Sequence, residues 1–149
     1  MLKKLIFDKE TLKVYCENED GERYAEFPIS FNFWAGVNSE GQERTAIPNG
    51  EYPISNENAD ALDYGYDMEP AYGRFWIALD RVRGRGYHGY GAGRSIDSGT
   101  YGCIRGENED GEEICRAIEN SIENGIEVTA EVIGDVDETQ FIVGYDGEQ

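Results

Sequence analysis

Residues 86–105 read Gly-Tyr-His-Gly-Tyr-Gly-Ala-Gly-Arg-Ser-Ile-Asp-Ser-Gly-Thr-Tyr-Gly-Cys-Ile-Arg. They hold His88, the only histidine of the chain, and Cys103, one of three cysteines. A thiol is a good nucleophile near neutral pH only with a base beside it or a lowered pKa, and imidazole has the unperturbed pKa that suits the base. His88 is the one histidine available to Cys103. Glycines at 86, 89, 91, 93, 99 and 102 let the backbone turn tightly and approach a ligand. Gly102, directly before the cysteine, leaves room for N–H groups to face a developing oxyanion. The stretch reads as a Cys/His acyl-transfer site.

Upstream of the site, Arg74-Phe-Trp-Ile-Ala-Leu79 is an apolar run of strand length that predicts a buried central strand. Arg81 to Tyr87 reads as a turn and a strand ending at His88. Downstream, Gly106 to Gly111 is an acidic turn. Glu112 to Asn124 places Ile114, Ala117, Ile118 and Ile122 at helical spacing, with Gly125 at the stop position. Cys115 falls near that stripe as a structural residue; a redox partnership with Cys103 is the sharper alternative. Ile126 to Ile133 alternates as a half-buried strand, and Thr139 to Tyr145 reads as one more.

Nearer the start, Leu2 to Tyr15 forms a hairpin about Asp8-Lys-Glu-Thr11, with Cys16 at a strand end as a small core or edge residue. A turn at Asn18 to Gly21 leads to a further strand, Tyr24 to Phe31, interrupted by Pro28. Thr45-Ala-Ile-Pro-Asn-Gly50 is a strong turn signal ahead of Glu51 to Ile54. Asn56 to Gly73 lacks periodicity and reads as a loop, in which Tyr64, Tyr66 and Tyr72 either wall a groove or cover the core. The expected fold is mainly β, a sandwich or barrel-like domain spanning 1–149, with one helix after the cysteine.

At His88-Gly89, a spacer, and Thr100-Tyr101-Gly102-Cys103-Ile104-Arg105, the chain resembles the L,D-transpeptidase catalytic domain, the YkuD-like family. That family's signature is His-Gly, a spacer, Ser/Thr-His-Gly-Cys, an aliphatic residue, then Arg or Asn. Thr45, Pro48, Gly50, Tyr52 and Ile54 resemble its Thr-Pro-x-Gly-x-Tyr/Phe-x-Ile segment, with the proline one place later. The resemblance spans residues 3 to 133 and is specific around 88–105. Tyr101 departs from the pattern, standing where most members carry a second histidine; a branch of peptidoglycan-cleaving toxins delivered between bacteria also varies there.

The resemblance implies a peptidoglycan stem peptide as substrate, attacked after its third, diamino-acid residue with release of D-alanine. It makes Cys103 the nucleophile, His88 the base and the N–H groups of Gly102 and Cys103 the oxyanion donors. Arg105 holds either the cysteine loop or a substrate carboxylate, Arg94 is a further candidate for that carboxylate, and Thr100 shapes the loop. Tyr101 is either a hydrogen-bond donor or a packed aromatic, and Gly89 completes the substrate-facing set. The acceptor stays open between an amine, giving a cross-link, and water, giving L,D-carboxypeptidase activity. Two other readings remain: a wall-cleaving toxin or phage-type hydrolase using the same site, and a catalytically silent peptidoglycan-binding module. A serine hydrolase built on Ser95 or Ser98 has nothing in the sequence to position either residue.

Composition sets the outer bounds. With 31 acidic against 13 basic residues the net charge is −18, which argues against nucleic-acid binding. Between Arg74 and Arg105, however, six arginines stand against Asp80 and Asp97, a local balance of +4 in a chain that is −22 elsewhere. Such asymmetry suits a pocket for a carboxylate-bearing ligand. Three cysteines at no metal-ligand spacing and one histidine suggest neither a disulfide framework nor a metal or other cofactor. The apolar run at Leu5-Ile-Phe stops at Asp8, too short for a secretory signal core, and no window has the length of a membrane-spanning helix. The expectation is action on the cell wall, at the periplasm or cell surface, with export route and any immunity or delivery partner unspecified.

Overall fold

The computed structural model describes residues 1–54, 62–64 and 72–144. Strands β1 (Leu2–Asp8), β2 (Lys13–Asn18) and β3 (Arg23–Ser30) form an antiparallel meander. Its first turn is held by Asp8, whose carboxylate accepts from the N–H of Glu10 at 2.8 Å. In the second turn the Asn18 side chain accepts from Asp20 and Glu22, and Gly21 supplies a φ of +80°. Pro28 is tolerated inside β3 for a directional reason. The N–H of the next residue, Ile29, points to Leu12 on the β2 side, so the proline nitrogen faces the other side. Pairing on that side begins only at Ile29, so no ladder bond is lost.

The short strand β4 (Phe33–Trp34) precedes β5 (Gly50–Ile54), and β6 (Leu62–Tyr64), β7 (Phe75–Asp80) and β8 (Arg85–His88) follow. After the site come β9 (Ile104–Gly106), helix α1 (Asn108–Glu123), β10 (Val128–Ile133) and β11 (Ile142–Val143). Nine strands make one sheet in the order β5-β10-β1-β2-β3-β9-β8-β7-β6, while β4 and β11 pair separately. The sheet curls into a barrel-like form. The Arg81 guanidinium, just past β7, reaches the Pro53 carbonyl on the opposite edge strand β5 at 3.4 Å.

Inside the curl lie Leu5, Phe7, Val14, Ile77, Tyr87 and Ile104, each at most 1% exposed. Complete burial of an aliphatic side chain of this kind contributes about 1.5–3 kcal/mol. The α1 helix covers this core with Ile114, Cys115 and Ile118, and Ser121 anchors it by donating to the Leu2 carbonyl at 2.6 Å. Cys16 and Cys115 are both buried, as the strand and helix patterns require.

Three local expectations need correction. The helix begins at Asn108, so Asn108 to Gly111 is helical and not a turn. A Cβ on Gly111 would lie 2.1 Å from the Phe75 ring, so glycine is what lets the helix press onto β7 despite its low helix propensity. Second, β6 pairs with β7 inside the segment read as loop. Within that segment, residues 56–61 and 65–71 lie outside the described residues. Third, 139–145 is not one strand. Asp137 caps a short 3-10 turn, Glu138–Phe141, by accepting from the Thr139 N–H at 3.0 Å and its hydroxyl at 2.8 Å, which leaves only Ile142–Val143 to pair with β4. Tyr145 lies outside the described residues.

Candidate active site

The site is set by one parallel pairing. Strands β8 and β9 run side by side with Tyr87 opposite Ile104 and His88 opposite Arg105. Parallel neighbours require a long crossover, and residues 89–103 supply it without a helix. Cys103 is the last residue of that crossover, directly before β9. Continuing the register places it beside Gly86, two residues from His88 and therefore on the same face of the sheet. The Gly86 backbone N–H donates to the Cys103 sulfur. Gly86 must itself be small, since a Cβ there would stand 2.3 Å from the Ile77 carbonyl.

His88 is 2% exposed. Its ring stacks on Trp76 with centroids 5.8 Å apart and packs against Tyr72 at 5.0 Å. Nδ1 lies 2.7 Å from the Gly89 carbonyl oxygen, and since a carbonyl only accepts, Nδ1 carries the proton and Nε2 is left as the basic nitrogen. Burial, and secondarily the Arg105 charge, lower the His88 pKa to about 3. The Gly89 hydrogen bond works in the opposite direction. His88 is thus a neutral imidazole at rest. Burial likewise pushes the Cys103 thiol above its ordinary range, with the Gly86 N–H, Arg85 and Arg105 opposing it. The resting pair is therefore thiol and imidazole, not thiolate and imidazolium.

Arg105 is 1% exposed, and its guanidinium lies among carbonyls of the crossover. Nε donates to the Gly89 carbonyl at 3.2 Å, and Nη1 donates to the carbonyls of Ser98 at 2.8 Å and Gly99 at 3.4 Å. It ties both ends of the crossover to the cysteine strand, the loop-holding arrangement of the two the sequence left open. Burial and the nearby Arg94 lower its pKa to about 10, still charged at neutral pH. The Gly89 carbonyl receives both the His88 ring and the Arg105 guanidinium. A Cβ on Gly89 would fall 1.9 Å from Asn108 Oδ1, so the residue has to be glycine.

Thr100 shapes the cysteine turn from within. Its hydroxyl lies 3.2 Å from the Asn32 carbonyl and 3.0 Å from the Cys103 carbonyl, and it accepts the Gly102 N–H at 3.0 Å. That last bond engages the Gly102 N–H, one of the two expected oxyanion donors, with the Thr100 hydroxyl. Gly102 has a different importance: its φ is +125°, and a Cβ would lie 2.7 Å from the Thr45 carbonyl and closer still to the Arg85 guanidinium.

Tyr101 is 48% exposed and is packed as an aromatic. Its ring meets Trp34 edge-on at 4.9 Å, the Arg44 guanidinium lies 4.7 Å above it, and Arg94 covers Trp34 at 5.8 Å. Arg94 accordingly lines the rim beside Trp34. Of the three tyrosines expected along a groove, Tyr72 reaches His88; Tyr66 and the Tyr64 side chain lie outside the described residues.

Sequence reading missed three contributors. Asn108, at the start of α1, accepts from the N–H groups of Arg74 at 3.0 Å and Tyr90 at 3.3 Å and donates to the Tyr90 carbonyl at 2.9 Å, fixing the chain just past Gly89. Trp34 was hidden in a two-residue strand. Arg85 was counted only as part of the basic cluster, although its place one residue before Gly86 points to it once β8 is aligned. Among the described residues no group of three His, Cys, Asp or Glu side chains is placed to hold a metal ion, and no helix is long and apolar enough to cross a membrane.

A buried Cys/His pair on adjacent parallel strands of a curled sheet, with a helix following the cysteine strand, defines the class: the chain has the L,D-transpeptidase catalytic-domain fold. An L,D-transpeptidase from Stackebrandtia nassauensis matches with a TM-score of 0.59 at 16% identity, over 91% of this chain and 57% of its own. One from Xylanimonas cellulosilytica gives 0.56 at 15%, over 88% and 60%. The helical cell shape determining protein of Campylobacter jejuni gives 0.59 at 20%, over 92% and 49%. The chain thus spans about half to three fifths of these solved structures. No protein-family model matches the sequence. No curated protein matches it either.

Proposed function

We propose that residues 1–149 form one catalytic domain that transfers or hydrolyses acyl groups of peptidoglycan stem peptides, with Cys103 as nucleophile. The observation that carries this is the register of β8 and β9, which sets Cys103 and the Nδ1-protonated His88 on one face of neighbouring strands. The named fold of the similar structures supplies the substrate class.

In this reading the carbonyl after the third stem residue sits against Sγ, and Nε2 of His88 takes the thiol proton as sulfur attacks. The backbone N–H of Cys103 faces the developing oxyanion. As the C–N bond breaks, the imidazolium returns its proton to the leaving amine and D-alanine departs. An amine or water then attacks the thioester, giving up its proton to His88 and releasing the thiol. Because both partners are neutral at rest, proton transfer accompanies attack and does not precede it. The site lies in a fold of cell-wall enzymes, so the proposed place of action is the wall; a wall-cleaving toxin differs only in the acceptor, water, and in its delivery and immunity partners.

The test is intact-protein mass spectrometry during incubation with disaccharide-tetrapeptide, with product analysis, for the native chain and Cys103→Ala. A thioester adduct, loss of terminal D-alanine or a new cross-linked dimer, each dependent on Cys103, is the expected result. Tetrapeptide binding that persists in Cys103→Ala, without adduct or turnover in the native chain, would leave a binding module in its place.

A further inference from the structure

We propose that Trp76 is a positioning residue for the Cys103/His88 pair: its indole fixes the plane of the imidazole, and its far edge covers Gly86, the residue whose N–H meets the sulfur. This deepens the catalytic reading of Cys103 and rests on it. The sequence marked Trp76 only as one residue of an apolar strand. The core side of that strand, however, is made by Phe75, Ile77 and Leu79, each at most 2% exposed, whereas Trp76 is half-buried on the other face. The core does not account for a tryptophan there.

Register is the first argument. Trp76 pairs with His88 across β7 and β8, and His88 with Arg105 across β8 and β9, so the three side chains form one row on the face away from the core. The next row along that face is Ala78, Gly86 and Cys103, two minimal residues and then the thiol. Such a row leaves a trough, and the indole leans into it. Its Cη2 lies 3.1 Å from where a Gly86 Cβ would stand, so the ring edge covers the glycine. The Gly86 N–H in turn donates to the Cys103 sulfur. One side chain therefore touches the base and covers the group that holds the nucleophile.

Ring geometry is the second argument. Nδ1 of His88 is held at one point, the Gly89 carbonyl, and a single hydrogen bond leaves the ring free to tilt about that contact. Stacking on Trp76, with planes 20° apart and centroids 5.8 Å apart, removes the tilt and keeps Nε2 in a fixed direction. Tyr72 completes the cluster: its ring lies 5.0 Å from His88 and 5.1 Å from Trp76, and its carbonyl accepts the Gly89 N–H at 2.9 Å. Among the described residues the titratable and charged groups facing the imidazole are Tyr72, Cys103 and Arg105. Only the indole is stacked flat on the ring, so its removal opens that face to water.

The experiment takes the full chain as native protein, Trp76→Phe and Trp76→Leu, and reads the two partners separately. His88, the only histidine, is titrated by proton NMR, and Cys103 is timed by iodoacetamide alkylation at one fixed pH, with Cys103→Ser to assign the adduct. Trp76→Leu loses the stacked ring, so the His88 midpoint should rise from about 3 to about 5 or above. Release of terminal D-alanine by that variant should fall about 10- to 100-fold in kcat, with KM within about threefold of native. Trp76→Phe keeps a ring but has no edge over Gly86, so the His88 titration should stay near native while Cys103 alkylation quickens about threefold or more. An unchanged His88 midpoint or a native kcat in folded Trp76→Leu, or unchanged alkylation in Trp76→Phe, would overturn the assignment. If Trp76→Leu does not fold, the alkylation of Trp76→Phe decides alone. If the native chain turns over no peptide, the catalytic reading fails by itself, and the imidazole and thiol readouts still accept or reject Trp76 as the residue that holds the pair.

Discussion

His88 and Arg105 donate to the same oxygen, the Gly89 carbonyl, His88 through Nδ1 at 2.7 Å and Arg105 through Nε at 3.2 Å. The His88 ring is thereby oriented by a backbone group that is itself held by a buried cation. A carbonyl polarised by a guanidinium still accepts from imidazole, but its attraction for a positive ring is reduced, which agrees with the Arg105 charge lowering the His88 pKa.

Arg105→Lys keeps the charge but cannot reach Gly89, Ser98 and Gly99 together. Loss of two buried charge-assisted bonds should cost about 2–4 kcal/mol, read by denaturant unfolding. Activity should fall in kcat more than in KM, since the base loses its orientation while the rim is untouched. A variant with native stability and native kcat would show that the crossover needs no such tie.

Because His88 is the only histidine, its ring signal is unambiguous in proton NMR. With a folded pKa near 3 against an ordinary 6.5, it should not titrate between pH 5 and 8. In the window between those values the unfolded chain binds a proton that the folded chain refuses. Its contribution to stability is complete above 6.5 and is lost as pH falls toward 3, at about 1.4 kcal/mol per pH unit well inside the window. His88→Gln should flatten the stability profile between pH 6.5 and 5. A ring titrating near 6.5 in the folded protein would mean a solvated, not a buried, base.

Cys103 alkylation by iodoacetamide should be slow at neutral pH and rise only above the ordinary thiol range, because burial outweighs the Gly86 N–H and the two arginines. Intact mass counts the alkylated thiols, and the difference from Cys103→Ser assigns the adduct to Cys103 among the three cysteines. A midpoint at or below pH 7 would instead establish a resting thiolate–imidazolium pair and change the order of proton transfer and attack.

Thr100→Val preserves shape while removing the hydroxyl that receives the Gly102 N–H and faces two carbonyls. The expected cost is about 1–3 kcal/mol, with Thr100→Ser close to native. In Thr100→Val the Gly102 N–H is released, so a rise in acylation rate in the folded fraction would point to that group as a second oxyanion donor.

Much of the fold was legible. The alternations in β2 and β10, the apolar runs of β1 and β7 and the stripe of α1 each pair a pattern with a burial need, so one element satisfies them. What escaped were elements whose local signal a tertiary contact overrides: Gly111 in a helix because Phe75 presses on it, and the Thr139 turn because Asp137 caps it. The site divides in the same way. Cys103 and His88 stood out by chemistry and scarcity, whereas the hydrogen bonds that link Arg105 and Gly89 to the crossover appear only once the carbonyls around them are in place.

The sequence by itself singled out Cys103 and His88 as the candidate pair, the order of strands, site and helix, and the resemblance that named a fold. Only the tertiary structure decided which arginine faces solvent and which is buried, that the Gly102 N–H is taken, and that the resting pair is neutral. The reason is physical. Residue type and periodicity record what a side chain is capable of and which face it occupies, but protonation, hydrogen-bond partners and access depend on groups brought close from distant parts of the chain, as Thr45 is to Arg85 and Asn108 to Gly89.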